Sequence, residues 1–443
     1  MSLTISILIV FTGILLVILL TSKFRINSFL SLFIASLAVA LAILPLPEIV
    51  PVLKKGFGDT MNSIGLIIIF GTIIGVTLDF TGATMSIANW LLKKVRSRNA
   101  PIAITITGFI TGLPIFCDSG FVVLSGINRS MAAKSKFHPV LMASLLAGSL
   151  YSVHNLIPPH PGATAAAGII GADIGKLVLV GTVVAAFATV AGFVWVRFIT
   201  RKVKLATDVE KATSVDWIDE TQLPSVSHSL VPIWLPLLLI TVKAVLVIPF
   251  QGSDLGVIKT FSFIGDPVIA LLIGMFASFT LLAKEEFKNK VNHYLQASIE
   301  KAGPIIIVTA AGGVFGAVIK STGIGDSAGA FLATTGLGLL VPFLISFILK
   351  TAQGSSTIAI IATASIISPM LAKFGFESDW EKLLVMLSMG AGSMMVSHAN
   401  DSYFWVITNF SKIEADDTLK VYSSMTIVMG LSTLGMVMLL SLI

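Results

Sequence analysis

Lys350-Thr351-Ala352-Gln353-Gly354-Ser355-Ser356-Thr357 is a short polar stretch set between two apolar runs, 341–349 and 358–367. Inside a membrane, a bare turn at mid-depth leaves backbone N–H and C=O groups unpaired, at a cost of several kcal/mol each unless protein or water covers them. The economical solution is a re-entrant hairpin, two half-helices that meet at a polar tip. Ser355, Ser356 and Thr357 can cap the second arm, whose N-terminus carries a partial positive charge. Such a tip attracts a carboxylate.

The rest of the chain supplies the membrane that this reading needs. Of its 443 residues 55% are hydrophobic and only 12% are charged, against about 25% charged in soluble proteins. Apolar runs near 20 residues recur along the whole length, as in a polytopic helical membrane protein. The net charge of +6 belongs to loops and does not point to nucleic acid. Cys117 is the single cysteine, so an intrachain disulfide and a cysteine metal site are excluded. No basic residue precedes the apolar run 7–20, whereas Lys23 and Arg25 follow it. That charge order argues for a retained first span with an external N-terminus and against a cleaved leader.

Spans are expected near 3–20, 26–46, 61–80, 138–156 and 176–198, with an interfacial helix near 82–95. A second hairpin is expected near 101–134, its tip at Pro114-Ile115-Phe116-Cys117-Asp118-Ser119-Gly120. The proline-rich segment from Ile157 to Gly162 reads as an unwound break. A solvated linker comes next, at 199–228. The second half repeats the plan, with spans near 230–249, 265–283, 303–320, 382–398 and 421–441, a hairpin near 338–371, a break at 397–402 and an apolar arm at 403–410. Letters repeat as well. Gly71-xxx-Gly75-xxxxx-Thr81-Gly82 matches Gly312-xxx-Gly316-xxxxx-Thr322-Gly323, and Ala147-Gly148-Ser149-xxxx-His154 matches Ala391-Gly392-Ser393-xxxx-His398.

The expected fold is therefore an all-α polytopic membrane protein built from two inverted repeats. Each repeat has about five spans plus one re-entrant hairpin and a broken helix. The first covers 1–200 (scaffold spans 1–80, transport elements 100–200) and the second 230–443 (scaffold spans 230–320, transport elements 337–443), joined by a cytoplasmic linker, 201–229. Five crossings per half make the halves antiparallel and put both termini outside. With that orientation the cytoplasmic loops hold 20 Lys/Arg and the outer side 7, while Lys243 and Lys350 fall within apolar segments. The imbalance has the sign that the positive-inside rule requires.

Ionisable groups at membrane depth mark sites and pathways. Asp118 reads either as a helix cap or as a proton-carrying carboxyl, and Asp401 has the same two readings. His154 and His398, equivalent under the repeat, either bridge helices or serve a proton or substrate role. His160 braces a turn or serves the site. Lys350 either snorkels to the interface or acts as counter-ion to the substrate or to Asp401. Ser119, Gly120 and Gly162 complete the first-half tip and break. Gln353, Gly354, Ser355, Ser356, Thr357, Asn400 and Ser402 do so in the second half, with neutral donors and acceptors that suit a hydroxylated ligand. No His-Glu-x-x-His, Gly-x-Ser-x-Gly or Walker A pattern is present, and no cofactor is expected. Asp79 reads as an interfacial cap, and Met394 and Met395 as packing.

Four motifs, in order, resemble the gluconate permease (GntP) family of bacterial secondary transporters. They are the tip at 114–121, Pro158-Pro159-His160-Pro161-Gly162, Ala352-Gln353-Gly354-Ser355-Ser356-Thr357, and Ser397-His398-Ala399-Asn400-Asp401-Ser402-Tyr403-Phe404-Trp405. The resemblance covers nearly the whole chain. It implies proton symport of gluconate or a related small hydroxy acid, sugar acid or D-serine, in a bacterial inner membrane. It also implies paired hairpins in a mobile domain, a dimerising scaffold and elevator-type movement, as in the ion transporter superfamily. The chain departs from the family pattern at Cys117-Asp118-Ser119, where an aromatic-Asp-Val is more usual, and at Asn155, where Gly is common. A sodium-coupled carrier is the alternative within the class, and a polytopic membrane enzyme the alternative outside it.

Overall fold

A computed structural model describes scattered positions between 8 and 24 and residues 26–93, 99–135, 137–210, 223–243, 256–282, 287–321, 337–398 and 401–443. Among the described residues every regular element is a helix. The first half runs α1 (Ser28–Ile43), α2 (Leu46–Phe80), α3 (Ala83–Lys93), α4 (Ala100–Gly112), α5 (Cys117–Ser135), α6 (Pro139–Leu156), α7 (Pro161–Ile170) and α8 (Ile174–Ile199). The second runs α9 (Val226–Val242), α10 (Gly256–Ile264), α11 (Pro267–Phe279), α12 (Phe287–Ser321), α13 (Leu340–Gln353), α14 (Ser356–Ile367), α15 (Asp379–Met394), α16 (Ser402–Ser411), α17 (Ala415–Thr418) and α18 (Ser424–Leu440).

Helix ends fall where the backbone chemistry puts them. α6 stops at Leu156 because prolines at 158, 159 and 161 have no N–H to continue the ladder. Pro161 then opens α7, and Gly171 closes it at φ 69°. α13 ends on Gly354 at φ 86°, a left-handed position that a side chain would strain. Ser355 Oγ accepts the Ile358 N–H at 3.4 Å and starts α14. Asp401 Oδ1 accepts the Tyr403 N–H at 3.0 Å and starts α16. Each half thus contains a helical hairpin (α4–α5, α13–α14) and an interrupted helix (α6–α7, α15–α16). At the start of α15 the Ser378 backbone N–H and hydroxyl hold the Glu381 carboxyl below its usual range.

Four helical stretches are long and apolar enough to cross a membrane: Pro139–Ile170, Ile174–Ile199, Lys290–Ile319 and Ala415–Leu440. Two bent pairs, Leu46–Asn62 with Gly65–Phe80 (45°) and Gly256–Ile264 with Pro267–Phe279 (66°), raise the count to six among the described residues. The sequence leads one to expect ten. The shortfall comes from short apolar helices such as Phe29–Ile43 and Val226–Ile240, and the first expected span lies largely outside the described residues. The spans expected at 61–80 and 303–320 are the C-terminal halves of α2 and α12, each 35 residues long. Polar residues conceal their first turns from hydropathy. In α2, Lys55 and Asp59 pair at 2.6 Å across one helical turn.

Two packed groups result. α2 lies along α12, and α1, α7, α11 and α14 pack against this pair. The two long helices meet backbone to backbone: a Cβ on Gly313 would sit 1.8 Å from Thr60 Oγ1 and 2.8 Å from the Gly56 carbonyl. In the other group α6 packs on α4 and α8, and α15 packs on α13 and α18, the same pairings in both halves. α8 against α18 joins them. α14 packs on α7 and α5 on α16, so each hairpin lies against the other half's interrupted helix.

The linker is tied at both ends. Buried Asp417 accepts the Ala206 N–H at 2.9 Å, the Thr207 N–H at 2.8 Å and the Thr207 hydroxyl at 2.6 Å. At the far end Ser86 Oγ donates to the Pro224 carbonyl at 2.6 Å. Residues 211–222 between them lie outside the described residues.

Two outcomes are expected. Gly313→Val forces α2 from α12, and overpacking of this kind costs roughly 1–3 kcal/mol. A thermal midpoint in detergent equal to that of the wild type would contradict the close crossing. Asp417→Ala strands three donors and costs about 2–4 kcal/mol. It is detected as faster limited proteolysis near 203–210, with cleavage elsewhere unchanged.

Candidate binding site

A cavity of about 350 Å³ opens where the first hairpin tip, the start of α7 and the start of α14 face α12. Phe116, Asp118, His154, Pro161, Ser355 and Thr357 form one wall; Lys301, Pro304, Ile305 and Val308 form the other. Three helix N-termini, those of α5, α7 and α14, reach this space. Each presents backbone N–H groups and a partial positive charge. The approach of α7 to α14 is close enough that a Cβ on Gly162 would stand 3.1 Å from Thr357 Cα. His154 Nε2 and Thr357 Oγ1 lie 3.2 Å apart and tie the two halves together.

Two polar atoms at this cavity are buried with no hydrogen-bond partner, Asp118 Oδ1 and His154 Nδ1. The other Asp118 oxygen takes only a weak thiol contact from Cys117 Sγ at 3.8 Å. Native structures leave few such groups unpaired, and those in a cavity answer to water or a ligand. The phenyl ring of Phe116 stands 6.4 Å from both the His154 and His160 rings, which are themselves 5.0 Å apart. His160 Nε2 bonds the Gly112 carbonyl at 2.7 Å, so this histidine braces the first hairpin against the break.

Asp401 sits in a different environment. Its Oδ2 accepts from Lys350 Nζ at 2.9 Å and from Ser397 Oγ at 2.5 Å, while Oδ1 caps α16. Lys350 is 0% exposed, so its chain does not reach an interface. Ser423 Oγ donates to the Ser397 carbonyl, and the Ser397 N–H donates to Thr426 Oγ1 at 3.1 Å, which fixes the break to α18. Val396 is held at φ 47°, a conformation that costs a β-branched residue energy and persists only where its surroundings enforce it. Behind this centre three of the chain's four tyrosines meet. Tyr151 stacks on Tyr403 at 5.7 Å, and Tyr422 stands edge-on to both.

Of the residues expected at a site, Asp118, His154, Ser355 and Thr357 share the cavity. Gly162 and Gly354 shape the backbone beside it. Gly120 packs on Leu150, where a Cβ would meet Cδ2 at 3.0 Å, and Ser356 is buried in the first turn of α14. His398 contributes its carbonyl to the Asp401 N–H at 2.8 Å. The side chains of Ser119, Gln353 and Ser402, and all of Asn400, lie outside the described residues.

Sequence reasoning misses Lys301, which it leaves in a loop ahead of a span starting at 303. The 3.6-residue period of Lys301, Pro304, Ile305 and Val308 carries the signal, since those positions share one helix face. It also misreads Asp79. Rather than capping α2, the Asp79 carboxylate faces Lys301, with Oδ2 at 3.8 Å from Nζ. The tyrosine cluster and the Asn155–Ser393 bond between halves, 3.0 Å, have no sequence signal beyond single polar letters in apolar runs.

The chain is 31% identical over 441 residues to the inner membrane permease YgbN of Escherichia coli, covering 94% of each chain. It is 30% identical to that organism's high-affinity gluconate transporter, over 98% of this chain and 99% of the other. The D-serine transporter DsdX of the same species is 27% identical over 97% of each chain. Among solved structures, the YdaH transporter of Alcanivorax borkumensis has the same fold, with a TM-score of 0.58, 15% identity and 89% of each chain covered. The description "GntP family permease" matches residues 5–443. This chain belongs to the GntP family, and it is a permease of the membrane, not an enzyme.

Proposed function

We propose that the chain is an inner-membrane symporter that imports gluconate or a related small hydroxy or sugar acid together with a proton. The observation that carries this reading is the cavity in which Asp118 Oδ1 and His154 Nδ1, both unpartnered, share walls with Ser355, Thr357 and three helix N-termini. N-terminal N–H groups suit an anionic head. Hydroxyl side chains replace the water that ligand hydroxyls lose on entry. An anion that enters beside Asp118 binds better when that carboxyl carries a proton, because two like charges in a low-dielectric space repel. Substrate binding then takes up a proton, which is the linkage a symporter needs.

Of the two carboxylates, Asp401 is paired with buried Lys350, whereas Asp118 faces the cavity with Oδ1 unpartnered. Asp118 and His154 remain, and His398 stands in the break. If one proton accompanies one monoanion the step is electroneutral, and the membrane potential contributes nothing directly to uptake.

The reading includes movement. The α2–α12 pair, with its glycine crossing, suits a scaffold, and the hairpins with the interrupted helices suit the unit that carries the cavity past it. The matching pairings of the two halves support inverted repeats at 1–200 and 230–443. Both termini are then external, residues 201–229 are cytoplasmic, and a homodimer forms through the scaffold. A D-serine carrier is the second reading, favoured by the DsdX relative.

In proteoliposomes an inward proton gradient accelerates gluconate uptake in this reading, and Asp118→Asn removes the acceleration while the thermal midpoint stays near wild type. Uptake that ignores the pH gradient but requires Na⁺ would replace the proton with sodium. Lys350→Met strands a buried carboxylate and destabilises the protein by about 3–5 kcal/mol. Lys350→Met combined with Asp401→Asn removes both charges, keeps the cap, and recovers most of that loss. If both single variants prove mild, the pair is not structural and Asp401 returns as a proton carrier.

A further inference from the structure

We propose that the groove between α4 and α8 is a binding site for one anionic phospholipid, with an acyl chain along the groove and the phosphate at Arg197. α4 and α8 both pack on α6 and leave between their outer faces a groove of about 320 Å³. Ile102, Ile106 and Phe109 of α4 face Val190 and Phe193 of α8 across it. The two threonines that complete the lining offer it no hydroxyl. Thr105 Oγ1 donates to the Pro101 carbonyl at 2.8 Å, and Thr189 Oγ1 donates to the Ala185 carbonyl at 2.8 Å with Ser152 Oγ 2.7 Å away. Ile102, Ile106 and Val190 stand exposed along the rim. The groove is thus hydrocarbon throughout, and α4 rises about 10 Å between Ile102 and Phe109. Its other side, α8, is long and apolar enough to cross a membrane.

One end of the groove is basic. Gly108 packs on Leu146 and Gly112 on Leu150, whereas Thr189 meets Ser152 and Gly181 meets Leu156, so α4 runs parallel to α6 and α8 antiparallel to both. The start of α4 therefore lies beside the end of α8. Arg197 follows Phe193 by one turn, and its guanidinium carbon stands 5.6 Å from the centre of that ring. Such stacking leaves the N–H donors around the rim of the guanidinium available. Arg201 and Lys202 follow in the turn beyond α8, with Lys202 Nζ 5.9 Å from the Phe198 ring. Among the described residues none of these three cations has a carboxylate partner. Asn99 gives α4 no side-chain cap, so the partial positive charge of that helix start adds to theirs. Hydrocarbon against hydrocarbon supplies no net drive in a bilayer, because the surrounding lipid tails are as apolar as the groove. Selection has to come from charge. A phosphodiester with an uncharged headgroup suits the basic end, whereas choline would add a further cation there. A lipid so placed bridges α8 to the first arm of the hairpin whose tip carries Asp118.

The test is retention of lipid by the full-length protein in detergent, read by native mass spectrometry together with the thermal midpoint. The probes are dioleoylphosphatidylglycerol, dioleoylphosphatidylcholine and glycerol 3-phosphate, a headgroup without chains. Wild type retains one phosphatidylglycerol and its midpoint rises, while the other two probes do neither. Arg197→Gln weakens retention about fivefold, the worth of one cation beside an anionic headgroup, and Arg197→Lys restores most of it. Ile106→Trp fills the groove from an exposed position, leaves every charge in place and displaces the lipid. Arg201→Gln and Val190→Trp repeat the two measurements from neighbouring positions, should either first variant lose its lipid-free midpoint. Equal retention of phosphatidylcholine, or unchanged retention in either the charge or the groove variant, overturns the site. Glycerol 3-phosphate that competes as well as the lipid makes this a surface anion site, and a dimer that Ile106→Trp splits gives the groove to a second copy. Either result overturns the proposal.

Discussion

A helix interrupted in a low-dielectric interior must find partners for every backbone group it frees, and this protein does so four times. Gly354 turns the chain and Ser355 caps the arm beyond it; Asp401 caps α16; His160 bonds the carbonyl of Gly112 across the first hairpin tip; prolines occupy positions at the other break where no N–H has to be satisfied. These solutions place helix starts, and hence positive partial charge, in the interior. α5, α7 and α14 bring theirs to a single space. The cavity arises from how the chain is broken more than from any individual side chain.

The two interior aspartates differ sharply in their surroundings. Asp401 accepts from an ammonium, a hydroxyl and a backbone N–H, so its charge is compensated and its geometry fixed. Replacing such an ion pair by apolar groups is often neutral, whereas removing one partner is costly, so the pair serves better as a lock on the break than as a source of stability. Asp118 has one oxygen without any partner and the other beside a thiol, at the edge of open space. One carboxylate is held by partners on both oxygens, and the other faces open space with an oxygen to spare.

Much of this is legible in the sequence. Polar letters between apolar runs locate both hairpins and both breaks to within a few residues, because glycine, proline and capping residues are punctuation that the backbone obeys locally. Those letters do not fix the pairing of His154 with Thr357 or of Asp401 with Lys350. Equivalent positions in two halves suggest two equivalent sites, whereas packing gives one half the open cavity and the other the ion pair. Lys301 and Asp79 are hidden for a different reason. Hydropathy windows trim the polar ends of long helices, so a helix that begins at 287 is seen only from 303. A lysine inside such a helix reads as loop until the neighbouring helix that supplies its carboxylate is known.

The long helices also constrain how the cavity can change. α2 and α12 touch backbone to backbone at Gly56 and Gly313, where no side chain intervenes and the contact tolerates almost no displacement. α7 and α14 approach closely at Gly162 and Thr357, where a Cβ on the glycine would stand 3.1 Å from Thr357 Cα. The cavity's far wall is made of Lys301, Pro304, Ile305 and Val308, and further along α12 meets α14 closely too, since a Cβ on Gly316 would stand 3.0 Å from the Ser365 carbonyl. Close backbone contacts at Gly56, Gly162, Gly313 and Gly316 thus frame the cavity on several sides, and a side chain added at any of them would have to displace a neighbouring helix.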